Sequence, residues 1–432
     1  MEQQAEITVI FGPNASGKTQ YVEWLRRQLA SDSVRYLAFS DAYGAATDRA
    51  YYLQLRWNQH DIDEETPTVG SQLMRAYALT GDDTPERQQL LDHLCQVFNL
   101  QPLLDKYVIL LSSGELRKFQ LIKTLLANPK TLILDNPFIG LDAQAREQLN
   151  DLLPQLAESQ KIHLYLVVSR RSDIPDYATK VLNIESEGSG VTKDSFVPPV
   201  CFPPSLKVSS SSSTVIDMHK VSIRYGERTI LKDLDWCVKK GEHWAVSGQN
   251  GSGKSTLLSL VCADNPQSYA CDIALFGHPR GSGESIWEIK QRIGYVSPEM
   301  HRSYQRNMPT INVVASGLKD TVGLYVRPNE SEKERCLQWM KIFGIDHLAQ
   351  RSFVTLSSGE QRLALVARAF VKTPELLILD EPLHGLDDNH RDRVRNIIEL
   401  YCNNSENTLI MVSHYEEELP SCVNKRLLLQ RH

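Results

Sequence analysis

Two glycine-rich segments have the residue types and spacing of loops that bind nucleotide phosphates. They read Gly12-Pro13-Asn14-Ala15-Ser16-Gly17-Lys18-Thr19 and Gly248-Gln249-Asn250-Gly251-Ser252-Gly253-Lys254-Ser255. In such loops glycines let backbone N–H groups converge on phosphate oxygens, the lysine reaches the β- and γ-phosphates, and the last hydroxyl binds Mg²⁺. The sequence therefore predicts two sites for ATP and Mg²⁺. The predicted nucleotide-binding residues are Gly12, Asn14, Ser16, Gly17, Lys18, Thr19, Gly248, Asn250, Ser252, Gly253, Lys254, Ser255 and Thr256.

The flanking sequence supplies the elements that must hold each loop. Residues 7–11 and 244–247 are short apolar runs that predict buried strands, and residues 20–29 and 256–262 predict the helices that follow. One loop of this pattern can occur by chance in an ordinary turn. The same context in both halves of the chain argues against that alternative.

The motifs downstream of the two loops repeat in register. Leu-Ser-Ser-Gly-Glu occupies residues 111–115 and 356–360, and an apolar run ends in Asp135 and in Asp380. Ser112 and Asp135 are 23 positions apart, as are Ser357 and Asp380, and a Gly-Leu-Asp turn reaches its aspartate 7 positions after each of those aspartates. This agreement indicates a duplicated domain.

Together these motifs resemble those of the ABC ATPase family over nearly the whole chain. The resemblance implies an α/β fold of two tandem P-loop NTPase domains, each a mostly parallel sheet with an inserted helical lobe that carries the Leu-Ser-Ser-Gly-Glu signature. We expect a first domain at residues 1–185, a Pro/Ser-rich solvated linker at 186–214 and a second domain at 215–432. Residues 275–277, 281–284, 286–287 and 293–297 are most similar to the ModF type of tandem ATPase, which is associated with molybdenum transport.

Matching the family's motifs implies unequal sites. In the second half, Asp380 would join Ser255 at the metal, Glu381 would be the catalytic base and His414 the γ-phosphate switch. Lys254 and Asp387 complete the catalytic set that the family implies. The first half keeps Thr19 and Asp135 for the metal, but has Asn136 and Arg170 where the second has Glu381 and His414. An amide cannot accept a proton as a carboxylate does. Alternatively, another carboxylate replaces the base in a working first site.

The resemblance also implies composite sites, because family domains close head to tail as a pseudo-dimer. Each nucleotide would then lie between the P-loop of one half and the signature of the other, represented by Ser112 and Gly114 and by Ser357 and Gly359. Tyr225 lies 23 positions before Gly248 and fits the family's adenine-stacking residue, although a buried or edge-strand tyrosine is an alternative. The first half has no equivalent segment. The family's glutamine after the next strand is missing in both halves, with Ser40 and Ser297 as substitutes.

Composition limits the other functions. The net charge of −6 predicts no broad cationic surface for nucleic acid. The eight cysteines include no C-x-x-C pair, which favours reduced thiols in a cytoplasmic protein. No apolar run approaches the about 20 residues of a membrane helix, so any permease partner is a separate chain and this chain would be peripheral at the inner membrane face.

We therefore predict a tandem ATPase that energises or regulates an ABC transport system, with molybdate import the leading candidate. An alternative is a non-transport ABC ATPase that acts on ribosomes or nucleic acid. Proteins of that kind usually have a long charged helical linker and a glutamate in both halves, whereas this chain has a Pro/Ser-rich linker and Asn136. A regulatory ATP sensor with negligible turnover is a third possibility.

Overall fold

Five short strands form a parallel sheet in the first half of the chain. They are β1 (Ile7–Phe11), β2 (Val34–Ala38), β3 (Thr131–Asp135), β4 (His163–Val168) and β5 (Lys180–Asn183). Their order is β2-β3-β4-β1-β5, and every neighbouring pair is parallel. The central strands consist mainly of buried β-branched residues and leucine, as expected for strands covered on both faces.

The computed structural model describes residues 6–29, 33–38, 66–108, 111, 113–139, 141, 143–184, 202–205, 212–225, 228–249, 251–298, 300, 304, 307–321, 327–403 and 406–431. The chain divides into two units, Met1–Ser189 and Gly190–His432.

Among the described residues of the first unit, five α-helices accompany the sheet. They are α1 (Lys18–Gln28), α2 (Val69–Leu79), α3 (Pro85–Val97), α4 (Ser113–Leu125) and α5 (Ala143–Ser159). The side chain of Thr68 caps α2 by accepting from the N–H of Ser71, and Thr84 caps α3 in the same way. Helices α2 to α4 form the helical lobe that the sequence predicts between β2 and β3.

The second unit repeats the parallel sheet and adds an antiparallel one. The strands are β6 (Thr214–Tyr225), β7 (Arg228–Lys239), β8 (His243–Ser247), β9 (Asp272–Leu275), β10 (His278–Pro279), β11 (Ile293–Val296), β12 (Leu376–Asp380), β13 (Thr408–Val412) and β14 (Lys425–Leu428). The parallel sheet has the order β11-β12-β13-β8-β14, and the antiparallel sheet has the order β10-β9-β6-β7. In the described part of the first unit, no antiparallel sheet accompanies the parallel one.

In the second unit, the described residues also form six α-helices. They are α6 (Lys254–Val261), α7 (Ile286–Arg292), α8 (Thr310–Ser316), α9 (Glu330–Ile342), α10 (Ser358–Phe370) and α11 (Asp388–Asn403). Helix α9 buries Cys336, Trp339 and Met340 in the lobe core, as their helical spacing predicts. The predicted α/β class with two tandem domains and parallel sheets is confirmed.

Part of the segment predicted to be a solvated linker is packed against the second unit. The Phe202 ring stacks on Trp339 with centroids 5.5 Å apart, and Pro203 is buried. Arg335 donates to the carbonyl of Pro204 at 2.7 Å, and Thr373 donates to that of Pro203 at 2.9 Å. Phe202 and Pro203 are therefore packed against the second unit, whereas Pro204 and Ser205 are exposed as a solvated linker would be.

Candidate functional site

Both phosphate loops follow a central strand at the carboxyl edge of its sheet, where ligands bind in open α/β folds. The loops are tight, and a Cβ atom at Gly248 would lie 2.5 Å from Ser252 Oγ and 2.6 Å from the Leu429 carbonyl. At Gly12 it would lie 2.6 Å from Ser16 Oγ and 2.5 Å from a backbone carbonyl. Only glycine fits either position.

Each loop wraps around its own lysine. Lys18 Nζ donates to the carbonyls of Gly12 at 2.6 Å and Pro13 at 2.5 Å. Lys254 Nζ donates to the carbonyls of Gly248 at 2.6 Å and Gln249 at 3.0 Å. The ammonium group therefore lies inside the loop, close to where phosphate oxygens would enter.

Two further features fit a phosphate group. In the described structure, the hydroxyls of Ser16 and Ser252 are buried inside the loops and have no hydrogen-bond partner. Gly17 and Gly253 have left-handed backbones with φ of 91° and 95°, and α1 and α6 begin at the next residue. The free N–H groups and the positive end of each helix dipole therefore face the loop and favour an anion.

The predicted metal-binding hydroxyls occupy the first turn of these helices. Thr19 and Ser255 are exposed, whereas Thr256 is buried against the sheet. Asp135 and Asp380 end β3 and β12. Because these strands are parallel to β1 and β8, each aspartate lies at the same sheet edge as its loop. A hydroxyl and a carboxylate are the oxygen ligands that Mg²⁺ prefers.

Glu381 lies between two histidines. Its Oε2 is 2.9 Å from His384 Nδ1 and its Oε1 is 3.0 Å from His414 Nε2. Burial alone would raise the pKa of Glu381, but the hydrogen bonds and positive charge of both imidazoles outweigh it and hold the pKa of this carboxyl well below its usual range. The carboxylate is therefore ionised and fixed in orientation.

The backbone at Glu381 is in the left-handed region, with φ of 48°, and Asn136 has φ of 52° at the matching position. Both residues donate their N–H to the adjacent strand, to Val412 and Val167 respectively, at 2.9 Å. Asparagine adopts this conformation readily, whereas for glutamate it costs on the order of 1–3 kcal/mol. The fold therefore holds Glu381 in place against a local conformational cost.

An arginine of the signature helix fixes the backbone beneath Glu381. Arg362 of α10 donates to the carbonyls of Asp380 at 2.9 Å, Ser297 at 3.1 Å and Pro382 at 3.3 Å, and also to that of Glu381. In the first unit, Arg117 of α4 donates to the Pro137 carbonyl at 3.0 Å. The signature helix of each unit is thus tied to the strand that carries its metal-site aspartate.

In the first unit, the metal-site aspartate is bound by other side chains. Asp135 Oδ2 accepts from the Tyr36 hydroxyl at 2.8 Å, and its Oδ1 accepts from the Asn136 amide at 2.9 Å. Burial raises the pKa of Asp135, and the hydrogen bond from Tyr36 and the charge of Lys18 only partly oppose this. Burial and the Asp135 carboxylate raise the pKa of the Tyr36 phenol. Tyr36 therefore remains a proton donor to Asp135.

The residues that follow the next strand also differ between the units. Arg170 lies 3.8 Å from Asp173, which also pairs with Arg146 at 2.8 Å. The Arg170 guanidinium thus pairs with Asp173, whereas His414 contacts Glu381. The first unit therefore has a guanidinium at the position where the second unit has an imidazole.

Asp387 contributes to the start of a helix. Its Oδ1 accepts from the backbone N–H of His390 at 2.9 Å and lies 2.8 Å from His390 Nδ1. These contacts cap α11, and the catalytic role predicted for Asp387 stays a prediction.

The signature of the second unit also begins a helix. Ser357 and Glu360 form a capping box at α10, in which the serine hydroxyl accepts from the glutamate N–H and the carboxylate binds the serine N–H. Gly359 is buried in its first turn. Gly114 lies in the first turn of α4, and Ser112 and Asn250 lie outside the described residues, as does Ser40.

Tyr225 ends β6 and is half-buried. Its hydroxyl accepts from the Asn265 side chain at 3.0 Å, and Gln267 donates to the neighbouring Arg224 carbonyl at 3.1 Å. Burial raises the pKa of the Tyr225 phenol, although the Asn265 hydrogen bond opposes it. The phenol is thus fixed at its polar end, and its adenine contact stays a prediction.

The structure brings His384 and Tyr36 into the sites, and the sequence predictions missed both. His384 lies three positions after Glu381, so its place in the motif was a signal, and the first half has Ile139 there. Tyr36 lies 99 positions from Asp135, and no local pattern joins the two.

Comparison with known proteins gives consistent results for both halves. A family model described as ABC transporter matches residues 3–139 and 231–384. The ABC transporter ATP-binding protein ModF of Escherichia coli is 35% identical over 96% of this chain and 89% of its own length. An uncharacterized ABC transporter ATP-binding protein of Schizosaccharomyces pombe is 30% identical over 89% of this chain and 81% of its own length.

The fold is also similar to that of a solved tandem structure. The archaeal ribosome recycling factor aABCE1, solved in complex with the ribosomal stalk protein aP1, covers 99% of this chain and 83% of its own chain, with a TM-score of 0.52 and 18% identity. At that identity the likeness concerns the fold alone. Among the described residues, no helix is both long and apolar enough to cross a membrane.

Proposed function

The chain belongs to the ABC transporter ATP-binding family, with two such domains in tandem, and from that premise we propose that it is an ATPase that turns over mainly at its second-half site. The observation that carries this proposal is the difference at one backbone position. At that position the second unit has Glu381, whose carboxylate contacts two histidines. The first unit has Asn136, whose amide donates to the metal-site aspartate of the same unit.

The residues around Glu381 support hydrolysis. When bound, Mg²⁺ would neutralise phosphate charge, and Ser255 and Asp380 are the residues that would hold it. The Lys254 ammonium group would donate to phosphate oxygens in place of the loop carbonyls that it now contacts. Glu381 is ionised and would accept a hydrogen bond from the attacking water, so that it orients this water and takes its proton as the general base. His384 and His414 set the direction of that carboxylate.

The first-half site supports nucleotide binding with little turnover. Its loop has the same closed geometry and the same enclosed lysine as the second. Asn136 directs an N–H donor at Asp135 and offers no basic oxygen to water in the manner of a carboxylate. A metal ion at Asp135 would compete with the Tyr36 hydroxyl for one carboxylate oxygen. We propose that this site binds ATP as a structural or regulatory ligand.

Steady-state hydrolysis of Mg-ATP by the purified full chain tests the proposal. We expect turnover in the wild type, loss of most of it in Lys254→Ala, and retention of most of it in Lys18→Ala. The two lysines have matched surroundings, so each variant controls for the other. If a folded Lys18→Ala variant is as inactive as Lys254→Ala, turnover does not occur mainly at the second-half site.

We propose further that ATP turnover energises or regulates an ABC transport system, with a permease in a separate chain and molybdate as the leading substrate. Similarity to ModF over 96% of the chain supports the link to transport proteins. From the family resemblance, the two halves would close head to tail on two nucleotides. Action on ribosomes is the second candidate function. Its only support is that the ribosome recycling factor aABCE1 has a similar tandem fold.

Affinity capture of the tagged chain from its native host separates these roles. Lysates treated with a non-hydrolysable ATP analogue or with ADP are divided into membrane and ribosome fractions before capture. Recovery with a membrane permease supports transport. Recovery with ribosomal proteins in the presence of the analogue, and not with ADP, would replace that role with the second candidate.

A further inference from the structure

Three side chains that commonly bind metal ions converge in the second unit, away from the nucleotide loop. They are His243 at the start of β8, Cys402 near the end of α11, and Cys422 in the turn before β14. Within the described part of the chain, one ligand atom of each lies within 4.8 Å of the other two. The P-loop follows the opposite end of β8, so this cluster lies at the amino edge of the parallel sheet.

Both ring nitrogens of His243 lie within hydrogen-bonding distance of a backbone carbonyl. Its Nε2 is 3.2 Å from the Asn407 carbonyl and its Nδ1 is 3.2 Å from the Cys422 carbonyl. If Nε2 donates its proton to Asn407, Nδ1 presents a lone pair beside a second acceptor. A cation bound at Nδ1 would replace the unfavourable contact between this lone pair and the Cys422 carbonyl. The hydrogen bond from Nε2 to the Asn407 carbonyl would then support the ring, as is usual for a metal-bound histidine.

The two thiols differ in burial and in pKa. Cys402 is buried, whereas Cys422 is partly exposed. A hydrogen bond from Cys402 and the neighbouring His243 lower the pKa of Cys422 to about 6, although burial opposes them. The same hydrogen bond and burial raise the pKa of Cys402. Cysteine binds metal ions as the thiolate, so metal binding at this pair would release protons.

We propose that His243, Cys402 and Cys422 form a binding site for a thiophilic divalent cation, with Zn²⁺ as the expected ion. Sulfur and imidazole ligands favour zinc over Mg²⁺ or Ca²⁺, which prefer oxygen. Zinc ligands lie about 2.0–2.3 Å from the ion, so the three side chains need to move together by only about 1 Å. The partial exposure of Cys422 and His243 leaves a fourth position for water. The ion would join β8, α11 and the turn before β14.

Zinc titration of the full chain tests this site. The protein is stripped with a chelator, kept reduced with a phosphine, and titrated with Zn²⁺ in competition with a chromophoric zinc chelator. We expect one tightly bound Zn²⁺ per chain. Each of Cys422→Ser and Cys402→Ser should weaken binding by at least about tenfold to a hundredfold, the range already seen when a supporting contact is lost.

Two matched controls distinguish this site from adventitious binding. Cys237→Ser removes an exposed thiol, and His219→Ala removes an exposed imidazole that lies 3.3 Å from Asp217. Both should leave zinc affinity unchanged. Titration with Co²⁺ should give a thiolate charge-transfer band and the spectrum of a tetrahedral site in the wild type, and the band should diminish in Cys422→Ser.

Thermal unfolding is measured with and without Zn²⁺ for each variant, so that the effect of zinc is separated from the effect of the substitution on folding. Zinc should raise the unfolding temperature of the wild type and of both controls, and not that of Cys422→Ser. Unchanged zinc affinity in a folded Cys422→Ser variant, or a Co²⁺ complex without thiolate bands, would overturn the proposal. So would a reduced chain that binds no Zn²⁺ but forms a Cys402–Cys422 disulfide with peroxide, since the pair would then be a redox site.

Discussion

Replacing Glu381 with glutamine removes the carboxylate while keeping its shape. The two oxygens of Glu381 meet His414 Nε2 at 3.0 Å and His384 Nδ1 at 2.9 Å. The glutamine oxygen can accept from one imidazole, and the other, as a neutral tautomer, can accept from the new amide. We therefore expect Glu381→Gln to fold and to bind ATP as the wild type does.

Turnover should respond differently. A positioned base contributes about 10²–10⁴-fold to a rate, which corresponds to about 3–5 kcal/mol of activation free energy. We expect Glu381→Gln to lower the steady-state rate at saturating Mg-ATP by that factor. Asn136→Ala at the matching position should change the rate by no more than about twofold, because an amide that already faces Asp135 supplies no base.

The assay is phosphate release, with a fluorescent ATP analogue to measure binding and thermal unfolding to confirm the fold. The two substitutions serve as controls for each other, because both residues have the same left-handed backbone. Comparable losses of turnover in the two variants, with binding intact, would refute the assignment of hydrolysis to the second half.

Three further predictions concern adenine recognition, head-to-tail closure and the role of His384. Tyr225→Ala should weaken ATP binding at the second-half site by about 1–3 kcal/mol and Tyr225→Trp should not, if the ring stacks on adenine; an unchanged titration in the alanine variant would reject the stacking. If the halves close head to tail, as we propose, Gly114→Asp should abolish turnover and Gly359→Asp only reduce it, because a carboxylate from the first-half signature would then repel the γ-phosphate at the hydrolytic site; the reverse order of steady-state rates would exclude that closure. His384→Ala should shift the acid limb of the pH–rate profile to higher pH. Loss of this imidazole raises the pKa of Glu381, so the ionised carboxylate is lost at a higher pH. An acid limb at the same pH as in the wild type would show that His384 does not act on the carboxylate.

Local patterns were sufficient to predict most of the scaffold. The glycines of the two loops, the apolar runs before them and the aspartates that end β3 and β12 are each adjacent in sequence to what they position. Side-chain type alone separated Glu381 from Asn136, since the repeat places them at the same point of the fold. The parallel order of the strands then brings these short motifs to one sheet edge.

Contacts between distant parts of the chain could not be predicted in this way. The bond from Tyr36 to Asp135 depends on the pairing of β2 with β3, which no single motif encodes. Phe202 lies in a segment of linker-like composition, yet its ring has a buried aromatic partner more than a hundred residues later. The convergence of His243, Cys402 and Cys422 likewise follows from tertiary packing and not from any metal-ligand spacing.

The state of the nucleotide bound in each half tests most directly whether the two sites are chemically unequal. The chain can be loaded with azido-ATP during turnover, photocrosslinked, and cut at a protease site introduced between residues 190 and 200. We predict ADP on the second half and uncleaved ATP on the first. ADP recovered equally from both halves, or only from the first, would contradict the account.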